Sequence, residues 1–336
     1  MKKYIYILVI IFCTSFLISN SAQPGVWNAG GSGSFTLLYP EDTIAYKKIQ
    51  MKSESIYMQL HKGFATVKGN YFFKNTSKDT LRIKVGYPIN NVFENISYNQ
   101  YANQVVVDGL YKVKGLVNEK EIELFKKPNK ENDNWYVWEI TFPPNKITEF
   151  IVYFLVNTNN AKILEGYNSA KKNAFIYLIE TGSIWKSPIE KGNFYLQLKD
   201  NLSIEDVKVS TPTLLFFDKE NSILKFSLSD YGKVPDQNFV ITYSKTLDNF
   251  NFEEVTSKSN FYFKEINQFS DSKFNQSDFK EIELSNAYKV NSNSNNAVGI
   301  IFYLAIYGLP ILIGVILLIF LIFIYKRFKK RWKWHC

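Results

Sequence analysis

The feature that most constrains this chain is a long apolar run near its C-terminal end. No charged residue occurs between Ile300 and Tyr325. An α-helix rises about 1.5 Å per residue and the hydrocarbon core of a bilayer is about 30 Å thick, so this run is long enough to cross it. Pro310 removes one backbone hydrogen bond, and we expect a kink near Tyr307. The sequence therefore predicts one transmembrane helix over residues 300–325.

The opposite end carries a second apolar segment. Lys2 and Lys3 precede an uncharged run from Tyr4 to Ile18, and small residues follow up to Ala22. This three-part layout is typical of a secretory signal peptide, with cleavage expected near Ala22. An uncleaved anchor helix is the alternative. We expect the bulk of the chain to leave the cytoplasm.

A basic tail, residues 326–336, directly follows the C-terminal apolar run. It contains six Lys and Arg residues between Lys326 and Lys333. Such clusters stay on the cytoplasmic side of a membrane. The prediction is a single-pass protein of the cytoplasmic membrane, with an extracytoplasmic (periplasmic) body and the lipid bilayer as a partner. Specific binding of acidic lipid by the tail is the alternative to a simple topology anchor.

The net charge of +9 belongs mostly to these membrane segments. Without the two lysines of the signal peptide and the six cations of the tail, the exported region carries about +1. A nucleic-acid-binding protein needs a concentrated positive face. No nucleic-acid partner is predicted.

Cysteine and histidine are too scarce in the exported region for common metal chemistry. The two cysteines are Cys13 and Cys336, so no disulfide or thiolate site is predicted. A zinc site needs three or four ligands, and the one exported histidine is His61. We predict no metal and no cofactor, and we expect His61, next to Lys62 and Gly63, to be a solvated turn residue.

Two-residue alternation runs through the exported region and predicts β-strands. In WYVWEITF, for example, Tyr136, Trp138, Ile140 and Phe142 share one face. Short strands at roughly ten-residue spacing favour antiparallel sandwiches. The predicted fold is all-β, with two consecutive antiparallel β-sandwich-like units and one C-terminal transmembrane helix. The predicted divisions are a signal peptide (1–22), an N-terminal arm (23–48), unit 1 (49–158), unit 2 (159–247), a stalk with little fixed structure (248–299), the helix (300–325) and the tail (326–336).

Several segments, taken in order, carry a family resemblance. They are Ile49–Leu60, the hairpin Val67–Pro88, the aromatic strand and return strand Trp135–Phe154, and the Thr-Gly-x-x-Trp-x-x-Pro-Ile segment from Thr181 to Ile189. These segments resemble a family of uncharacterised exported bacterial proteins, classed as a domain of unknown function. The resemblance implies two β-rich units, often membrane-anchored, and it implies no catalytic residues.

Carboxylates are the remaining route to catalysis. A glycoside hydrolase needs two of them about 5–10 Å apart. Glu139, Glu149 and Glu180 lie on predicted strands. Glu139 is out of phase with Trp138 and Ile140, and we expect ordinary outward-facing side chains. No catalytic residues are predicted.

Aromatic residues make up 17% of the chain, and two tryptophans are candidate binding residues. Trp135 is out of phase with the Trp138 face, so we expect it to face outward. Trp185 follows the Thr181-Gly182 turn, where it either closes the end of a sandwich or contacts a ligand.

The sequence thus predicts a non-enzymatic binding, assembly or scaffold role in the bacterial cell envelope, with an envelope protein or glycan as partner. The alternative is a carboxylate-dependent hydrolase acting on envelope glycan.

Overall fold

The described part of the chain is mostly β-structure, as predicted. The computed structural model describes residues 43–88, 104–106, 110–127, 135–159, 161–165, 168–177, 179, 185–211, 213–231, 239–290 and 304–332. The predicted signal peptide, Glu180 and the Thr181-Gly182 turn lie outside these residues.

The strands follow the alternating segments of the sequence. They are β1 (Ile49–His61), β2 (Phe64–Asn75), β3 (Leu81–Pro88), β4 (Gln104–Val106), β5 (Leu110–Val117), β6 (Lys120–Ile122), β7 (Phe125–Lys127), β8 (Trp135–Phe142), β9 (Ile147–Asn157), β10 (Ala161–Glu165), β11 (Asn168–Tyr177), β12 (Ile189–Leu198), β13 (Lys208–Ser210), β14 (Leu215–Asp218), β15 (Ile223–Tyr231), β16 (Phe239–Tyr243) and β17 (Lys280–Ile282). The α-helices are α1 (Thr43–Tyr46), α2 (Phe252–Ser257), α3 (Ser259–Ser270) and α4 (Leu309–Trp332).

A nine-stranded sheet forms the centre of the body, in the order β17-β14-β15-β12-β1-β2-β9-β5-β6. β1 and β12 pair in parallel, from Ser53 opposite Lys191 to Leu60 opposite Leu198, and the other neighbours are antiparallel. This mixed sheet differs from the prediction of two consecutive antiparallel units. Its strands come from both sides of the predicted boundary at 158/159, and the described residues up to Lys289 belong to one compact unit. Alternation specifies a strand's faces but not its neighbours, so the parallel pair left no signal in the sequence.

One face of the large sheet packs against two smaller sheets, ordered β13-β16-β11-β10-β4 and β3-β8-β7. Aromatic rings make the contact: Tyr177 of β11 lies 5.6 Å from Phe194 of β12, and Trp138 of β8 stacks 4.8 Å from Phe150 of β9. Burial of such side chains is the main stabilising term, at about 25 cal/mol per Å² of apolar area.

Helix α3 covers the other face of the large sheet. Phe263, Ile266 and Phe269 are buried, and Phe263 lies 5.5 Å from the Tyr153 ring of β9. β17 then extends the sheet beside β14. Residues 248–290 therefore differ from the predicted stalk. Their apolar residues are sparse, but three-residue spacing places them on one helical face, which is enough to bury α3.

Helix α4 forms the second unit of the chain. The segment Leu304–Arg327 is long and apolar enough to cross a membrane. A π-helical turn, Leu304–Gly308, changes to α-helix at Leu309, next to Pro310 and at the place where a kink is predicted.

Candidate functional site

One of the two histidines lies at one end of the large sheet. His61 is the last residue of β1, and the two-residue turn Lys62-Gly63 leads into β2 at Phe64. Gly63 has φ of +94°, and a Cβ there would lie 2.6 Å from the Phe250 ring. Only glycine adopts this conformation without strain and leaves room for the ring. The turn thus places His61 under a covering of aromatic residues.

Asp200 contacts this turn from the end of β12. His61 Nδ1 lies 3.3 Å from Asp200 Oδ1, and the Lys62 N–H donates to Asp200 Oδ2 at 3.1 Å. The hydrogen bond with His61 is the main cause that lowers the pKa of Asp200 below its usual value. The carboxylate is therefore ionised at neutral pH and accepts, so Nδ1 of His61 carries the hydrogen.

Aromatic rings shield the imidazole from solvent. The His61 ring stacks 4.3 Å from Phe64, lies 5.4 Å from Tyr262 of α3, and is 4% exposed. The prediction of a solvated turn residue is wrong, because α3 covers the end of β1. We name His61, Phe64, Asp200, Tyr243 and Tyr262 the His61 cluster.

Tyr243 fixes the backbone of the His61 cluster. Its hydroxyl donates to the His61 carbonyl oxygen at 3.0 Å and lies 2.6 Å from Thr158 Oγ1. Complete burial raises the pKa of Tyr243 far above its usual value, so the phenol stays protonated. The cluster joins β1, β2, the turn after β12, β16 and α3 at one end of the body.

The chemistry available to this cluster is limited by access. A His–Asp pair is the orienting half of a nucleophilic triad, which also needs a hydroxyl or thiol within hydrogen-bond reach of the free ring nitrogen. Nε2 of His61 has no hydrogen-bond partner among the described residues. Within the same residues, no group of three or more His, Cys, Asp or Glu side chains could hold a metal ion. The arrangement supports a structural role for the His–Asp pair.

The candidate binding residue Trp185 lies in the hydrophobic core. It is 6% exposed and contacts Phe73 at 4.7 Å and Tyr46 at 5.3 Å. The following N–H, of Lys186, donates to the Ile49 carbonyl oxygen at 2.8 Å. These contacts favour the closing role over the ligand contact.

The candidate Trp135 is the first residue of β8, where its backbone pairs with Pro88 and Lys127. The placement of its side chain lies outside what the structure describes. The structure does not bring Trp135 and Trp185 into one sheet: β8 belongs to the three-stranded sheet, and Trp185 precedes β12 of the large sheet.

The carboxylates considered for hydrolysis lie on different sheets. Glu139 of β8 forms an ion pair with Arg82, and its side chain is 39% exposed. Glu149 lies half-buried on β9 of the large sheet. The two side chains therefore do not form the close carboxylate pair that a glycoside hydrolase needs.

Sequence reasoning missed a buried carboxylate. Glu54 of β1 is 5% exposed, Tyr177 OH donates to its Oε2 at 3.1 Å, and Tyr177 OH lies 2.9 Å from Tyr71 OH. The β1–β2 register shifts between Met51 and Ser53, so the strand's inward phase changes there. A change of phase after Met51, with Ile56 and Met58 apolar, was the available signal.

No protein-family model and no curated protein matches this chain. Solved structures align with parts of it. A candidate nutrient binding protein from Legionella pneumophila subsp. pneumophila covers 59% of this chain and 68% of its own, at 17% identity and a TM-score of 0.41. The M1 zinc metallopeptidase from Deinococcus radiodurans covers 58% and 42%, at 7% identity and a TM-score of 0.31. Yeast LTA4 hydrolase covers 59% and 29%, at 10% identity and a TM-score of 0.31. Likenesses at this level carry no argument about function.

Proposed function

We propose that this chain is a single-pass membrane protein whose β-rich body lies outside the cytoplasm and binds or assembles components of the bacterial cell envelope. The observation that carries the proposal is that one chain contains both a packed β body and the apolar helix α4. The described part of α4 exposes apolar side chains on all sides, from Ile311 to Phe323, as a helix surrounded by lipid does.

The orientation rests on the charges that flank α4. Lys326 and Arg327 directly follow the apolar run, and the tail beyond it is basic. Positive flanks stay in the cytoplasm, so the body lies on the periplasmic side.

A binding role is supported by the contacts that the candidate catalytic and binding side chains make within the body. His61 is enclosed by aromatic rings, Glu139 is engaged by Arg82, and Trp185 is packed in the core. His61 and Trp185 are thus packed within the fold, and Glu139 forms an ion pair at the surface. The proposed partner is an envelope protein or glycan that contacts the outer surface of the body.

Cysteine labelling tests the orientation. Cys336 lies in the tail, and a Cys13→Ser, Glu220→Cys, Cys336→Ser variant carries its one thiol at an exposed position of the body. In spheroplasts a membrane-impermeant maleimide should label the Glu220→Cys variant at once. It should label Cys336 of a Cys13→Ser chain only after lysis. Labelling of Cys336 before lysis would reverse the topology.

Full-length protein in membranes, incubated with purified peptidoglycan, separates binding from hydrolysis. The proposal expects co-sedimentation or cross-linking to an envelope component, with no soluble glycan fragments released. Release of fragments would instead support the carboxylate-dependent hydrolase.

A further inference from the structure

Three polar atoms without partners lie close together beneath α3. They are Gln59 Oε1 and His61 Nε2 on β1, and Thr66 Oγ1 on β2, and none has a hydrogen-bond partner among the described residues. The residues are 2%, 4% and 0% exposed. A buried polar group destabilises the folded state unless something bonds to it.

The strand register places the three side chains on one face. Gln59 lies directly opposite Thr66, and His61, opposite Phe64, is the diagonal neighbour of Thr66. Diagonal neighbours in an antiparallel pair are about 7–8 Å apart at the backbone, and these side chains extend from the same face, so a small molecule between them can bond to more than one. This face is the one that α3 covers, since His61 contacts Tyr262.

Neighbouring side chains assign the hydrogen-bonding roles of two of these three atoms. Gln59 Nε2 donates to Gln197 Oε1 at 2.9 Å, which leaves Gln59 Oε1 as an acceptor. Because the Asp200 carboxylate takes the Nδ1 hydrogen, Nε2 of a neutral His61 is also an acceptor. The Thr66 hydroxyl can donate or accept.

We propose that a water molecule is bound at this position, donating to His61 Nε2 and Gln59 Oε1 and accepting from the Thr66 hydroxyl. Water supplies two donors and one acceptor in the smallest volume, and buried waters make about three such bonds. An ammonium ion has donors only, so it would leave the hydrogen of the Thr66 hydroxyl without an acceptor. The bound water holds the imidazole so that Nδ1–H faces Asp200. The water is therefore part of the surface on which α3 packs.

Nitrogen NMR of the full chain in detergent micelles, labelled with ¹⁵N-histidine, tests this assignment. The chain has two histidines, and a His335→Asn variant assigns their signals. We expect the resonance of a protonated nitrogen at Nδ1 of His61, and an Nε2 resonance displaced upfield as for a hydrogen-bonded acceptor. We also expect a nuclear Overhauser contact from the His61 ring to water.

Substitutions at Thr66 sharpen the test. Thr66→Val should move the Nε2 resonance toward the position of a free acceptor, whereas Thr66→Ser should preserve it. Thr148→Val is the matched control, because Thr148 is equally buried but lies opposite Phe73 on the other face of the sheet. The proposal is overturned if Nε2 of the wild-type protein is protonated or resonates as a free acceptor, and this result does not require Thr66→Val to fold. It is also overturned if Thr66→Val folds and leaves the Nε2 resonance unchanged.

Discussion

Lys68 Nζ in the middle of β2 donates a hydrogen bond of 2.8 Å to Ser270 Oγ at the last turn of α3. The ammonium also lies 5.7 Å from the centroid of the Tyr153 ring. Burial lowers the pKa of Lys68, a sign that α3 and the sheet remove this group from water. Residues 248–290, which precede helix α4, therefore include a helix that is built into the body.

The packing of α3 predicts a large effect of truncating Ile266. This side chain is fully buried, and Ile266→Ala should lower the free energy of unfolding by about 2–5 kcal/mol. Phe261 of the same helix is 58% exposed, and Phe261→Ala should change it by less than about 1 kcal/mol. Urea titration followed by circular dichroism in detergent measures both. Equal effects would show that α3 does not pack on the sheet.

Tyr243 predicts a loss of stability at alkaline pH. The folded protein holds this phenol protonated, whereas an unfolded tyrosine loses its proton near pH 10. Its contribution is complete below about pH 10 and declines above it. Tyr243→Phe should lower the free energy of unfolding by about 1–3 kcal/mol at pH 7. The difference in unfolding free energy between the variant and the wild type should be smaller at about pH 11.

Thr158→Val provides the control for Tyr243. It removes the hydroxyl 2.6 Å from Tyr243 but leaves the phenol able to ionise, so its alkaline slope should match that of wild type. If the unfolding free energy of Tyr243→Phe declined with pH above about 10 as steeply as that of wild type, the decline would not come from the Tyr243 phenol.

Asp200 predicts a component of acid unfolding. Since its hydrogen bond with His61 depresses the pKa in the folded state, the stabilisation is present above the unfolded value of about 3.9 and is lost as the pH falls through the folded value. Asp200→Asn should flatten the decline of stability between about pH 4 and pH 2. Asp206→Asn, at an exposed carboxylate of the following turn, should retain the wild-type decline. Acid titration of the unfolding free energy compares them.

Trp185 predicts a structural defect when truncated. Removing a ring packed against Phe73 and Tyr46 should cost about 3–5 kcal/mol, visible by calorimetry as a lower unfolding temperature. Lys186→Ala, at the exposed next residue, should cost less than about 1 kcal/mol. A Trp185→Ala protein with wild-type stability would contradict the structural role and favour a ligand contact by Trp185.

The parts of the fold that follow from local pattern were predictable. The alternation of Phe194, Leu196 and Leu198 locates β12, and the uncharged run after Ile300 locates α4. The prediction of a mostly β chain with one apolar C-terminal helix is confirmed.

The unpredicted parts depend on contacts between distant segments. His61 looks like a turn residue because the residues that cover it, Tyr262 among them, come much later in the chain. Glu54 is buried because a shift of register at Lys52 turns it inward. Local patterns give each strand two faces, but the partners of those faces are set by tertiary packing.

The parallel ladder between β1 and β12 also imposes an order on assembly. Gln59 and its partner Gln197 are separated by 138 positions, and nothing can complete that side of β1 until the later strand arrives. Because a chain is synthesised from its N-terminus, one side of the β1–β2 hairpin stays unpaired while the intervening chain is made. Such an edge is open to mispairing until β12 pairs with it, so the late strand protects the early one.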